Sequence, residues 1–238
     1  KGVRDTLGNG LVTSSGDFWF RQRRMMQPFF HRKFLNGLMD VMMDSINEVL
    51  VHWDEYAETG KEVDLYHQMA EITLNIITKT MFGSQMAEED RVAIVEDMAH
   101  IVDYIAIRGY LSFLPGWMPL PGHGNFEEAM KRQRRVISEI IQYYRDNPSD
   151  EYNLVNMLLQ AVDEETDDRM TDQQLFDEVI SLFQAGFETS ATMMTWLFYM
   201  LHEHPDVYEK AAQEVNSVIG DRTPELGDLK QLTYCKQA

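Results

Sequence analysis

Apolar residues recur at helical spacing along most of the chain. From Asp17 onward they repeat every three or four positions, a pattern typical of amphipathic helices. No run of alternating apolar and polar residues bounded by turns is long enough to predict a sheet. The sequence therefore predicts a mainly α fold.

Start and stop signals divide this pattern into separate helices. Asp17 is the predicted N-cap of the first helix and Pro28 lies near its end, while Gly60 and Gly83 stop the second and third. The helices predicted before residue 171 cover 16–27, 34–60, 62–83, about 87–108, 125–146 and about 153–162.

Two stretches between these helices predict irregular structure. Residues 111–124, LSFLPGWMPLPGHG, contain three prolines and three glycines, which cannot continue a helix or a strand ladder. They form the longest predicted loop. Residues 163–170, DEETDDRM, predict a solvated acidic turn.

The longest predicted helix begins at Thr171 and runs until Pro205. Thr171 followed by Gln174 is the signature of a capping box. Apolar residues lie nearly all round this helix, which indicates a position in the middle of a helical bundle. Residues 202–220 predict one further helix after it.

The composition limits the classes of function. The 238 residues are 44% hydrophobic, enough for a buried core. Acidic residues outnumber basic ones 39 to 21, which argues against nucleic acids and anionic membrane surfaces as partners. The single cysteine excludes an intramolecular disulfide framework and fits a reducing compartment. No segment has the pattern of a transmembrane helix or a signal peptide, so the predicted location is the cytoplasm, and an anchor in a segment before Lys1 stays open as the alternative.

The centre of the long helix, LFQAGFETSATMMTW, contains an unfavourable glycine. Gly186 in a helix interior costs roughly 1 kcal/mol relative to alanine. In a structural interpretation, another helix packs closely on Gly186, Thr189 bonds to the carbonyl of Ala185, and Glu188 is paired or turned outward. In a functional interpretation, a flat ligand lies on the Ala185–Gly186 face, with Glu188 and Thr189 placed for proton transfer. The pattern alone leaves both open.

A second candidate site lies in the first predicted helix. Trp19 and Arg23 are four residues apart and share one helical face, where an indole N–H and a guanidinium could bind a carboxylate. The alternative is a core tryptophan beside a solvated arginine.

Taken in order, these motifs resemble the cytochrome P450 family of haem-thiolate monooxygenases. AGFETSAT matches the family's central-helix signature A-G-x-E-T, and the resemblance continues over essentially the whole chain. It implies a P450-like helical bundle around a long central helix, with residues 1–238 as a single partial domain. The other matching segments are GNGLVTS, ITKTMFG, LHEHPDVYEKAAQEV and LGDLKQLTYCKQA.

Three elements of the family do not occur in this sequence, and the first is its N-terminal strands. Neither the E-x-x-R helix nor the F-x-x-G-x-x-x-C loop that supplies the haem thiolate is present. Cys235 lies upstream of where the E-x-x-R helix should begin, without a glycine-rich loop, and is interpreted as an ordinary buried thiol. The resemblance therefore implies an internal part of a longer protein, with the axial cysteine outside this chain.

The resemblance also implies roles for the two candidate sites. Trp19 and Arg23 would hold a haem propionate, and Ala185 and Gly186 would face the porphyrin. Thr189 and Glu188 would deliver protons during oxygen activation. The residues implied to shape the substrate pocket are Val12, Ser181 and Leu182.

The implied activity is haem-dependent insertion of one oxygen atom into a small apolar organic substrate. Electrons would come from a partner protein or a fused reductase. A basic cluster could dock an acidic electron-transfer partner, or it could be a solvated face that balances nearby acids. The runner-up function is a non-enzymatic helical module for ligand binding or interaction. The basic cluster consists of Arg21, Arg24, Arg32 and Lys33.

Overall fold

Helices account for most of the protein. The computed structural model describes residues 2–83, 85–115 and 118–237. In these ranges the only β pairing is an isolated antiparallel bridge between Val162 and Arg169, which closes the acidic turn. The predicted mainly α fold is confirmed.

The helices follow one another with short connections. Two short 3-10 turns accompany them, Gln27–Phe30 directly after α2 and Asp228–Lys230 near the end of the chain. The α-helices are α1 Gly2–Leu7, α2 Gly16–Met26, α3 Arg32–Thr59, α4 Leu65–Phe82, α5 Glu88–Tyr110, α6 His123–Asp146, α7 Leu154–Gln160, α8 Asp172–Glu203 and α9 Pro205–Val218.

Helix ends account for the differences from the sequence prediction. The prediction of Asp17 as an N-cap is wrong, because Ser15 occupies the cap position two residues earlier and Gly16, with a φ of 67°, turns the chain into α2. Helix α4 begins after Asp64, whose carboxylate accepts the backbone N–H of His67 at 3.1 Å. Helix α1 was not predicted, since six residues are too few to display a helical period.

Helix α8 occupies the centre of the bundle, as predicted. Thr171 Oγ1 accepts the N–H of Gln174 at 3.3 Å, and Gln174 Oε1 accepts the N–H of Thr171 at 2.8 Å, which completes the predicted capping box. Its N-terminal half is buried mainly against α4, where the rings of Phe82 and Phe183 lie 5.5 Å apart. This contact fixes the orientation of the residues that follow Phe183.

The C-terminal half of α8 is different in character. From Met193 to Met200 its apolar side chains are largely exposed, and 72% of the surface of Met193 is accessible. Such a continuous apolar face is typical of a surface that another element covers. None of the described helices is both long and apolar enough to cross a membrane.

Candidate functional site

An apolar groove of about 520 Å³ runs along one side of α8. Leu182, Ala185 and Gly186 line it from α8, so the structure brings three of the predicted site residues together. Val12, Trp19, Arg23, Ser181, Glu188 and Thr189 do not line the groove. Its other walls come from the 3-10 turn, α3, α4 and α7, with Phe29, Phe30, Leu38, Ile76, Ile77 and Leu154 among the lining residues.

Gly186 of α8 packs against Ile77 of α4. A β-carbon at this position would lie 3.0 Å from Cδ1 of Ile77, closer than nearly all real contacts of that kind. A side chain at residue 186 would therefore require the Ile77 side chain to shift by a few tenths of an ångström. The glycine serves the packing of two helices, as in the structural interpretation, and it also keeps the groove open beside Ala185.

The hydroxyl of Thr189 points back along the helix. Its Oγ1 donates to the carbonyl oxygen of Ala185 at 2.6 Å, and the side chain is exposed. Donation to Ala185 uses the hydroxyl hydrogen, so the oxygen lone pairs remain able to accept a hydrogen bond. Thr189 and Ala185 lie four residues apart and therefore share one face of α8.

Glu188 leaves α8 on a different side and has a partner on another helix. Its carboxylate oxygens lie 2.9 and 2.8 Å from the hydroxyl oxygen of Tyr66, in the first turn of α4. Burial, the hydrogen bond to Glu188 and its negative charge raise the pKa of Tyr66 well above its usual value. Tyr66 therefore stays protonated and acts as a donor across the physiological range.

The α1–α2 loop, residues 8–15, is fixed to the N-terminal half of α8. The backbone N–H groups of Asn9 and Leu11 donate to the carboxylates of Asp177 and Glu178, each at 2.9 Å. Gly10 packs so tightly that a β-carbon would lie 2.6 Å from the carbonyl oxygen of Asp177. The central helix therefore helps to position the loop, together with the hydrogen bonds that Thr13 donates to Gly8 and Gly10 within it.

The α1–α2 loop carries one of the predicted pocket residues and covers another. Ser181 is fully buried beneath it and donates from Oγ to the carbonyl oxygen of Leu7 at 2.9 Å. Val12 lies on the loop with 53% of its surface exposed. Only Leu182 of the three predicted pocket residues lines the groove. Ser181 differs because its hydroxyl is used to hold the chain before the loop.

Glu178 is a buried acid that the sequence prediction missed. Its Oε2 accepts the N–H of Leu11, while Oε1 is buried without a hydrogen-bond partner among the described residues. Burial raises the pKa of Glu178 to about 7, with the nearby charge of Asp177 adding to the effect and the Leu11 N–H opposing it. The sequence pattern did indicate a buried acid at this position, because Glu178 interrupts the buried apolar positions around Leu175 and Val179.

Trp19 and Arg23 share a face of α2, but they do not present two free donors. The indole N–H of Trp19 donates to the carbonyl oxygen of Leu11 at 3.1 Å, because the α1–α2 loop lies against α2. The guanidinium of Arg23 lies 5.2 Å from the centre of the indole ring and is exposed. In the part of the chain that the structure describes, no carboxylate lies within ion-pair distance of Arg23.

The basic cluster is partly neutralised within the fold. Arg24 lies 2.8 Å from the buried carboxylate of Asp163 and 3.0 Å from Glu165, and Arg21 lies 3.4 Å from Asp163. The guanidinium of Arg24 lowers the pKa of Asp163 far below its usual value. The positive charges of Arg21 and Arg24 are thus balanced by the carboxylates of the acidic turn. The two remaining members, Arg32 and Lys33, are exposed at the start of α3.

Cys235 lies in the last described turn as a free thiol and is half-buried, so it is less buried than the ordinary buried thiol that the sequence predicted. Glu214 accepts the N–H groups of Tyr234 and Cys235 at 2.8 Å each, which holds the segment against α9 and leaves the thiol partly accessible. Burial and the Glu214 carboxylate raise the pKa of the thiol. Within the described ranges, no group of three or more His, Cys, Asp or Glu side chains is arranged to hold a metal ion.

Comparison with known proteins identifies the family. The family model "Cytochrome P450" matches residues 2–238, and the chain belongs to that family. It is 30% identical to cyclooctatin synthase of Streptomyces melanosporofaciens, over 99% of this chain and 51% of that protein. It is 26% identical to cyclooctat-9-en-7-ol 5-monooxygenase of the same organism, over 98% of this chain and 50% of that protein. The chain thus spans about half the length of these relatives.

A solved structure supports the fold independently of close sequence similarity. The crystal structure of the cytochrome P450DA heme domain matches 98% of this chain and 51% of that chain, with a TM-score of 0.80 and 21% identity. The order and packing of the helices described above are therefore those of a P450 fold.

The residues present fit part of a haem site. Ala185 and Gly186 give the groove a wall of small residues, with Ile77 packed beside Gly186, and Phe29 and Phe30 supply further apolar lining for a flat apolar group. Arg23 has a guanidinium available for a carboxylate. Trp19 could add its N–H only by giving up the carbonyl oxygen of Leu11.

Proposed function

We propose that this chain is the central helical part, a single partial domain, of a haem-dependent monooxygenase. The enzyme would activate dioxygen and insert one oxygen atom into a small apolar organic substrate. The observation that carries the proposal is the apolar groove along α8 with Ala185 and Gly186 in its wall, in a chain that matches the P450 family over residues 2–238. Bound haem would supply the oxygen chemistry, and its axial thiolate would come from outside this chain.

The proposed cofactor contacts use the two sites in different ways. Ala185 and Gly186 lie against the flat face of the haem, where larger side chains would prevent close approach. Arg23 pairs with a haem carboxylate, and Trp19 joins it after exchanging its bond to Leu11. Charge-assisted hydrogen bonds of this kind are worth roughly 1.5 to 3 kcal/mol each.

The proposed proton transfer uses Glu188 and Thr189. Glu188 takes up a proton from solvent on its carboxylate and passes it, directly or through water, toward the face of α8 that carries Thr189. The proton would be consumed in the reduction of dioxygen, whose second oxygen atom leaves as water. Thr189 Oγ1 can accept this hydrogen bond because its own hydrogen is donated to the carbonyl oxygen of Ala185. Positioned proton donors of this type contribute rate factors of about 10² to 10⁴.

The substrate and electron supply follow from the same proposal. Val12 and Leu182 contribute apolar surface for the substrate, and Ser181 acts indirectly by fixing the α1–α2 loop. Electrons come from a partner protein or a fused reductase. Arg32 and Lys33 are the members of the basic cluster left to attract an acidic partner, because Arg21 and Arg24 are already paired. The cytoplasm stays the predicted compartment.

A helical module without enzymatic activity is the second candidate. Three contacts favour it, because Gly186 packs on Ile77, Thr189 bonds to Ala185, and Glu188 is paired with Tyr66. Each contact has a structural role that requires no ligand. The same contacts are compatible with a haem protein, so the two functions differ in ligand binding rather than in packing.

A ferrous–carbonyl spectrum separates the two candidates. The full-length protein that carries this chain, expressed with haem, should give the thiolate type of spectrum, whereas residues 1–238 expressed alone should not, because no cysteine loop lies in them. The Cys235→Ser full-length variant is the control and should retain the signal. A thiolate signal from residues 1–238 would make Cys235 a ligand. No haem binding by the full-length protein would favour the helical module.

Replacing Thr189 with alanine should keep haem binding but divert reducing equivalents into peroxide and water. The proton path loses its hydroxyl, while the apolar groove is unchanged. The measurement is product formed per electron pair consumed, with an apolar compound selected by the change in haem absorbance it causes on binding.

Thr195→Ala is the matched control for Thr189→Ala. Thr195 Oγ1 donates to the carbonyl oxygen of Ala191 at 2.8 Å, the same type of bond on the same helix. If both variants show the same product yield as the wild type, Thr189 has no part in proton transfer.

A further inference from the structure

Tyr66 is the side chain that determines where the Glu188 carboxylate lies. Its hydroxyl oxygen lies within 2.9 Å of both carboxylate oxygens, across 122 positions of sequence. Among the described residues, no lysine, arginine or histidine lies within ion-pair distance of Glu188. The phenol therefore provides the directed contact that holds this acid.

The Glu188 carboxylate lies outside the groove, where α8 meets the start of α4. Residues two positions apart on an α-helix differ by about 200° in direction, so Glu188 projects nearly opposite to Gly186. Thr189 differs from Glu188 by about 100°, and it shares its face with Ala185. A carboxylate held on Tyr66 is thus near the partly exposed surface between α4 and α8, one residue from the threonine hydroxyl.

We propose that Tyr66 is a positioning residue that holds Glu188 at the solvent end of the proton path to Thr189. The proposal rests on the proposed monooxygenase function. Tyr66 keeps its own proton throughout, since it donates a hydrogen bond to Glu188 and its pKa is raised. The transferred proton comes from solvent, binds a carboxylate oxygen of Glu188 and leaves past Thr189 to the reacting dioxygen, whose second oxygen atom leaves as water. The Glu188 carboxylate then binds a new proton from solvent. Loss of the phenol hydroxyl lets the carboxylate move freely in water and makes this delivery less frequent.

Infrared difference spectra of the haem-loaded full-length protein test the contact itself. Tyr66→Phe should shift one carboxylate stretching band, because Glu188 loses its hydrogen-bond donor. In the Glu188→Gln background, the same Tyr66→Phe change should leave the carboxylate region unaltered. Tyr208→Phe removes an exposed hydroxyl from α9 and is the matched control, expected to shift no carboxylate band. Absence of a shift, or a shift that persists in the Glu188→Gln background, overturns the proposal.

Coupling of electron use to product formation tests the role, with the compound selected for the Thr189 experiment. Tyr66→Phe should lower product per electron pair by up to about tenfold, the low end of the effect of losing one charge-assisted hydrogen bond, because the contact is exposed and water can replace the phenol. Glu188→Gln should lower it at least as far, and the double variant should match Glu188→Gln alone, because both changes act through one carboxylate.

The outcomes separate this proposal from the proposed function. Unchanged coupling in Tyr66→Phe beside lowered coupling in Glu188→Gln makes Tyr66 purely structural and overturns the positioning role. If neither Glu188→Gln nor Thr189→Ala lowers coupling, the proposed proton path fails, and the positioning role fails with it whatever the infrared result. The proposal is also contradicted if the effects of Tyr66→Phe and Glu188→Gln on product per electron pair are fully additive in the double variant.

Discussion

Replacing Glu178 with glutamine should stabilise the protein by roughly 3 kcal/mol at pH 8 and leave its stability nearly unchanged at pH 4. Glutamine keeps an acceptor for the N–H of Leu11 but carries no charge into the buried site. The pKa of Glu178 rises from 4.5 to about 7 on folding, and each pKa unit corresponds to about 1.4 kcal/mol. The measurement is urea unfolding between pH 4 and pH 8.

The sign of this effect follows from proton binding in the two states. Between pH 4.5 and about 7 the folded protein holds the Glu178 proton and the unfolded chain does not. The free energy of unfolding therefore decreases as pH rises through this window and is constant above it. Glu178→Gln should remove that part of the pH dependence.

Glu203→Gln is the matched control for Glu178→Gln. Glu203 is exposed at the C-terminal end of α8, so its replacement removes one negative charge from the same helix without changing a buried group. This variant should follow the wild type over the whole pH range. If the difference between wild type and Glu178→Gln does not grow with pH, the Glu178 carboxyl is not buried as described.

The features that the sequence predicted correctly depend on residues close together in the chain. The capping box of Thr171 and Gln174 was predictable because its two hydrogen bonds join residues three apart. Gly60 was a predictable helix end because its left-handed conformation, with a φ of 67°, favours glycine. Gly186 could be noticed for its helical cost, although the residue that packs on it, Ile77, could not.

What the sequence did not predict depends on contacts between distant segments. Tyr66 meets Glu188 because α4 crosses α8, and nothing in the residues around position 66 indicates that partner. Likewise, the indole N–H of Trp19 was expected to face a ligand, but the α1–α2 loop brings the carbonyl oxygen of Leu11 to it. One sequence shows which side chains can donate a hydrogen bond. The fold determines which acceptor lies nearest to each donor.

Trp19 and Arg23 differ in whether the fold already gives the donor a partner. This difference determines which of the two should matter more for haem retention. Arg23 has its guanidinium in solvent over an indole ring, with no carboxylate paired to it in the described part of the chain, so it can bind a new anion without breaking an ion pair. Trp19 must first release Leu11. Arg23 is therefore the stronger candidate for the first contact with a haem carboxylate.

Arg23→Leu in the full-length protein should weaken haem binding by roughly 10- to 100-fold, the effect of losing one charge-assisted bond to a partly buried carboxylate. The measurement is the rate of haem transfer to an apoprotein acceptor, together with the haem content of the purified protein. Arg32→Leu is the matched control, because it removes an equal charge from an exposed position at the start of α3. Trp19→Phe should have a smaller effect than Arg23→Leu, since its N–H already bonds to Leu11. Equal haem retention by the Arg23 and Arg32 variants would place Arg23 outside the cofactor site and leave α2 with a packing role alone.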